Sequence, residues 1–341
     1  MIADFSQNEC YKKDFLEKIP FFFWPISKSA RVFRDRRADR FAKVYSKSHE
    51  TRKKRGDRNV SEDRKKERTI KPINGDSPSV RKMDFEGLDQ LSDYYVAGNS
   101  FLTHTVNAYH VIFPEGERFF IKSVKAFADQ VKDPALQNSI KGFIGQEVQH
   151  GKEHEKALEM LVKQGRPVSK ILNFYVKTAY GFFWPVLEFI FGKKLKLAVT
   201  AGLEHYTASL GEVTLRFGLH EQAEGEMRNL LLWHACEEIE HKSVAYDVLQ
   251  TVSKSYILRT LGFIVASIMF WGYAFTLQHM FIFSDPKIGF KRYFSDLISA
   301  RSYARLIVIE VGKLALLYFK PGFHPNQTGG YDLANAALAT I

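Results

Sequence analysis
The chain has 341 residues, 45% of them hydrophobic and 14% aromatic, which is enough to bury a large core and excludes a wholly disordered chain. Two cysteines, Cys10 and Cys236, exclude a disulfide-stapled secreted scaffold and fit a reducing, cytoplasmic compartment, with membrane association as the alternative. The formal charge of +11 is local: residues 28–71 hold 18 Lys and Arg against 7 Asp and Glu, so the rest of the chain is neutral.

In chain order, the first feature is FFFWPI at residues 21–26, too short and too far in for the core of a secretory signal. Residues 1–79 read as a basic, largely disordered extension, since they carry many charges and few large apolar side chains. A solvated charged tail is the plain reading of residues 28–71. Clustered Lys and Arg beside apolar segments favour an anionic membrane surface as the partner. Nucleic acid is disfavoured, because no binding module accompanies the basic run.

From Met83 onward the periodicity is helical. After Pro114, GERFFIKSVKAFADQV predicts a helix over 116–131. Asp133-Pro134 predicts the next start, with Asp as cap and Pro in the first turn, and Gly165 predicts its end. Further helices are expected over 197–218 and 221–252. No strand alternation rivals them, so the expected class is all-α. Two apolar stretches stand apart. Residues 260–283 run for 24 residues without a formal charge, long enough to cross a bilayer. Residues 171–191 are similar but are interrupted by Lys177, Pro185 and Glu188. A membrane span or in-plane anchor competes with burial in a bundle or in a homodimer interface.

The chemistry concentrates in two helical segments. GFIGQEVQHGKEH carries Glu147, His150 and His154 on one face, and HACEEIEH carries His234, Glu238 and His241 on one face. One Glu-x-x-His pair is within chance. Two pairs gain meaning from Glu117 in the preceding helix and Glu204 in the helix between them. Di-metal carboxylate bundles take one Glu from each of two helices and Glu-x-x-His from the other two. Glu117, Glu147, His150, Glu204, Glu238 and His241 follow that order. Two divalent ions would balance the four carboxylates, with iron the first choice and manganese or zinc the alternatives. His154, His234 and Glu237 are candidates for donors that orient the ligands. Glu240 flanks the set, His205 points about 100° away, and Cys236 reads as a buried small residue. His104 and Asn107 are weak candidates near the centre.

On these residues the chain resembles bacterial proteins described as predicted metal-dependent hydrolases. The resemblance rests on VRKMDFEG, FLTHTVNAYHVIFPEGERFF, GFIGQEVQHGKEH, LEHYTASL, WHACEEIEHKSVAYDV and YFKPGFHP, in that order. Over residues 80–325 it implies a ferritin-like four-helix bundle with a dimetal site and additional apolar C-terminal helices; residues 326–341 are left as a C-terminal tail. The activity it implies is hydrolysis. The chemistry of four Glu and two His leans instead toward an O2-dependent di-iron oxidase, hydroxylase or desaturase. A non-catalytic ferritin-like metal-binding protein is the third reading. Under either enzymatic reading the Phe-rich helices suggest a small, lipophilic substrate.

Overall fold
The computed structural model describes residues 77–341, so the basic extension and its expected membrane contact through 28–71 lie outside the described residues. The described chain is all-α, and its one extended pairing is a bridge between Val96 and Ala223.

Residues 77–99 lie across the helices before the first of them begins. The strap at Pro78–Arg81 passes so close to the second helix that a Cβ on Gly142 would sit 2.1 Å from the Pro78 carbonyl oxygen. Only glycine admits that approach. The first helix, α1 (Ser100–Lys125), starts where the Asn99 side chain accepts from Leu102 N at 3.0 Å. It runs through Pro114 rather than starting after it. Proline removes one helical hydrogen bond, but buried residues on both sides, Val111 and Ala108 before and Phe119 and Phe120 after, hold the two halves in one rod.

Helix α2 (Pro134–Lys163) begins and ends where its caps predict: Asp133 accepts from Ala135 N at 3.1 Å, and Gly165 follows at φ 77°. A short α3 (Val168–Tyr175) continues through a π-helical turn at Val176–Phe183 into α4 (Trp184–Phe217), which is interrupted at Gly192. Sequence periodicity found only the later part of α4. The helix expected over 221–252 is two helices, α5 (Gly225–His241) and α6 (Val244–Val252). The break follows His241, where buried Lys242 turns its ammonium to the Gly329 carbonyl and Thr328. Helices α7 (Tyr256–Ser284), α8 (Phe290–Leu317) and α9 (Tyr331–Leu338) complete the chain, so residues 326–341 end in an ordered helix against α5.

Helices α1, α2, α4 and α5 surround the polar centre, and α7 packs along α1 and α4. α7 is the one helix among the described residues long and apolar enough to cross a membrane. Its inner stripe (Phe263, Ala266, Phe270, Leu277, Phe281) is nevertheless buried in protein.

Candidate metal centre
Each of the four inner helices turns polar side chains toward the same interior. α1 supplies His110 and Glu117, seven residues apart and therefore on one face. α2 supplies Glu147, His150 and His154; α4 supplies Glu204; α5 supplies His234, Glu237, Glu238 and His241. All ten are buried.

They form two adjoining groups. Glu147, His150, Glu238 and His241 can bring one donor atom each within 4.8 Å of one another, and so can Glu117, His154 and His234. Glu204 belongs with the first group, its Oε2 lying 3.7 Å from His241 Nε2. Glu238 joins the two groups. Its Oε1 is 2.7 Å from His234 Nε2 and 3.5 Å from His150 Nδ1, while its Oε2 is 3.3 Å from His241 Nε2. A line of imidazoles runs out from there: His154 Nε2 lies 2.7 Å from His234 Nδ1, and His154 Nδ1 lies 2.7 Å from His110 Nδ1.

A second layer fixes this arrangement. Glu237 Oε2 accepts from His150 Nε2 at 3.0 Å, which puts the ring proton on Nε2 and leaves the Nδ1 lone pair facing the interior. Arg81, from the N-terminal strap, donates to Glu237 at 3.0 Å and also to Glu240. Gln146 donates to Glu240 Oε2 at 2.7 Å.

The donor set fits metal ions. Both carboxylate oxygens of Glu117, Glu147 and Glu204, one of Glu238, Nδ1 of His150 and both ring nitrogens of His241 are buried without a hydrogen-bond partner. Buried polar atoms are ordinarily paired, and buried carboxylates left unpaired cost several kcal/mol each. The protonation pattern shows the same deficit of positive charge. Burial first, then neighbouring carboxylates, push Glu117 and Glu147 well above the usual carboxylate range. Burial raises Glu204 to about 8, with His241 opposing. Burial would lower His241, but Glu204 and Glu238 outweigh it and bring it up to about 9. Glu238, though buried, is held well below its ordinary value by His241 and His234.

The six residues expected as ligands thus come together, but not as one set. Glu117 stands apart from the other five, beside His154 and His234, which sequence reasoning assigned to an orienting role. Of the two adjacent glutamates, Glu238 faces the donors as expected, and Glu237 faces Arg81 and His150. Glu240 faces away, onto Arg81, Gln146 and the Ser79 amide. His205 donates to the Leu314 carbonyl at 2.9 Å among Tyr318 and Phe323. His104 and Asn107 belong to a separate buried network with Asp285, Arg166 and Tyr95. Cys236 is buried, and burial lifts its thiol to about 12. His110 and Arg81 were missed. The seven-residue spacing from His110 to Glu117 was a usable signal; nothing local marks Arg81.

An apolar cavity adjoins the centre, walled by Phe113, Phe119, Tyr180, Trp184, Leu203 and Phe270. Phe113 stands between the two, its ring centroid 4.9 Å from that of His154 and 5.1 Å from that of His234.

Comparison with curated proteins and with solved structures returned no match for this chain. A protein-family model described as "Predicted metal-dependent hydrolase" matches residues 79–329, a span that contains every residue of both donor groups and Arg81. The chain belongs to the family of predicted metal-dependent hydrolases.

Proposed function
We propose that the chain is a two-metal hydrolase of a small lipophilic substrate. The observation that carries the reading is the second donor group. Glu117, His154 and His234 supply two imidazoles and one carboxylate, a set that leaves coordination positions free and that catalytic zinc sites use. Glu147, His150, Glu204, Glu238 and His241 would hold one ion, and Glu117, His154 and His234 the other, with Glu238 placed to serve both. When bound, such ions polarise a carbonyl or phosphoryl oxygen and lower the pKa of water toward neutrality.

The remaining residues position this set. Glu237 orients the His150 ring, and Arg81 keeps Glu237, which burial raises to about 7, from rising further. His110 fixes the far side of the His154 ring. Phe113 and the apolar cavity behind it exclude water on one side and suit an acyl or alkyl chain.

Two His and one carboxylate also suit non-haem iron(II), so an O2-dependent oxidase, hydroxylase or desaturase is the second reading. The test is protein purified without added metal, assayed on esters and amides of increasing chain length, with its absorption spectrum recorded before and after reduction and exposure to air. Hydrolysis that improves with chain length, with zinc or manganese bound and no response to air, is the expected result. Two irons with an oxygen-dependent near-ultraviolet band and no hydrolysis would replace the proposal with the oxidative reading.

A further inference from the structure
The largest feature the metal centre does not use is an exposed apolar face. On α7, Ile257, Ile264, Ile268, Phe275 and Phe283 share the stripe opposite the buried one, with Ile257 and Phe283 each 76% exposed. The stripe continues onto α8 through ring contacts: Phe275 to His279, His279 to Phe283, Phe283 to Tyr293, and Tyr293 to Phe294. α8 itself buries only Ala300, Val311 and Ala315, and shows Phe290, Leu297, Ile298 and Val308 outward. The π turn joins α7 where Tyr273 donates to Thr178 at 2.9 Å. At its end and in the helix that follows, Phe182, Phe183, Phe189 (92% exposed), Ile190 and Phe191 project outward. A monomer surface rarely keeps so many large apolar side chains in water.

Basic side chains lie in and beside this face. Lys177, Lys193 and Lys194 flank the outward Phe cluster, and Lys291, Arg301 and Arg305 lie on α8. None of the six has a carboxylate partner among the described residues. We propose that this face docks the protein on the surface of an anionic lipid bilayer, lying in the interface rather than crossing it. Large apolar side chains interleaved with and flanked by Lys and Arg are what interfacial binding to anionic lipid requires. A second copy is the poorer occupant, because it would set the same unpaired cations against each other. A full crossing is opposed by the inner stripe of α7, which packs on the polar bundle and cannot face lipid. The +11 charge of residues 28–71 would be attracted to the same membrane. The inner side of the same helices, through Tyr180, Trp184 and Phe270, walls the cavity beside the metal centre.

The test is flotation of the full chain with phosphatidylglycerol-containing vesicles and with pure phosphatidylcholine vesicles, at low salt and at about 0.5 M salt, where charge attraction is screened within a few ångströms. The wild type should float with the anionic vesicles and stay bound in part at high salt. Phe189→Asp combined with Phe275→Asp, both exposed positions, should cut the high-salt bound fraction at least tenfold while leaving the thermal midpoint and metal content unchanged. Three results would overturn the proposal. One is no flotation; another is flotation that salt abolishes and the variant does not alter. The third is a dimer in sedimentation velocity that Phe275→Asp dissolves. None of these readouts depends on which reaction the metal centre performs.

Discussion

Replacing Gly151 by alanine separates folding from metal binding in one step. Gly151 lies inside α2, between His150 and His154, and a Cβ there would sit 2.9 Å from Glu117 Oε2. Ordinary contact begins near 3.4 Å, so the carboxylate must retreat by about half an ångström. The obstructing atom is the end of a flexible side chain, so the two helices need not move. Metal–ligand distances hold within about 0.2 Å, so on the proposed coordination Glu117 would be lost to an ion held with His154 and His234. Alanine in a helix interior is meanwhile worth up to about 1 kcal/mol over glycine. Gly151→Ala should therefore raise the stability of the metal-free protein and weaken one metal position at least tenfold, about 1.4 kcal/mol, with the other position unchanged. Urea unfolding after chelation and competition against a chromophoric chelator measure the two quantities. Unaltered affinity at both positions would refute the placement of Glu117, and so would equal weakening at both.

Other outcomes follow from the layer around the donors. Glu237→Gln keeps the shape but removes the carboxylate that accepts from His150, and should lower metal affinity about 10–100-fold, read by calorimetric titration. Arg81→Met leaves Glu237 and Glu240 buried without their cation and should cost about 3–5 kcal/mol in urea unfolding; a loss under 1 kcal/mol would show that the strap is dispensable. His104 gives a pH dependence remote from the metals. Burial first, then Arg166, lower it to about 4, while Asp285 opposes. An unfolded histidine titrates near 6.5, so at pH 7 His104 is neutral in both states. Below 6.5 the unfolded chain takes up a proton that the folded chain refuses until about pH 4. This histidine therefore contributes a loss of about 3 kcal/mol as pH falls across that window. His104→Asn should flatten the fall in urea midpoint between pH 7 and 4.5, and an unchanged slope would remove the assignment.

How much of this was legible in the sequence differs from element to element. The class and the limits of α2 were readable, because Asp133, Pro134 and Gly165 act locally on the backbone. The start of α1 was not: a proline reads as a boundary, while the packing that overrides it comes from other helices. The break after His241 carries no glycine or proline, and depends on Lys242 reaching a loop some 86 residues away. That Glu117, Glu147, His150, Glu204, Glu238 and His241 would face one polar interior was legible because helical spacing fixes which side chains share a face. Their division into two groups was not. Spacing along one helix does not say how far along its axis the neighbouring helix is set. That offset is what brings Glu117 to His154 and His234 rather than to His241. Arg81 lies in an extended strap, where no periodicity reveals what the chain crosses.

The claim that Glu238 serves two metal ions is tested most directly by counting metals per chain in the wild type and in Glu238→Ala, each purified without added metal and measured by mass spectrometry. Two per chain are expected in the wild type, with a loss at both positions in the variant and the helical fold retained. Two metals retained in Glu238→Ala, or none in the wild type even after exposure to zinc, manganese and iron(II), would contradict it.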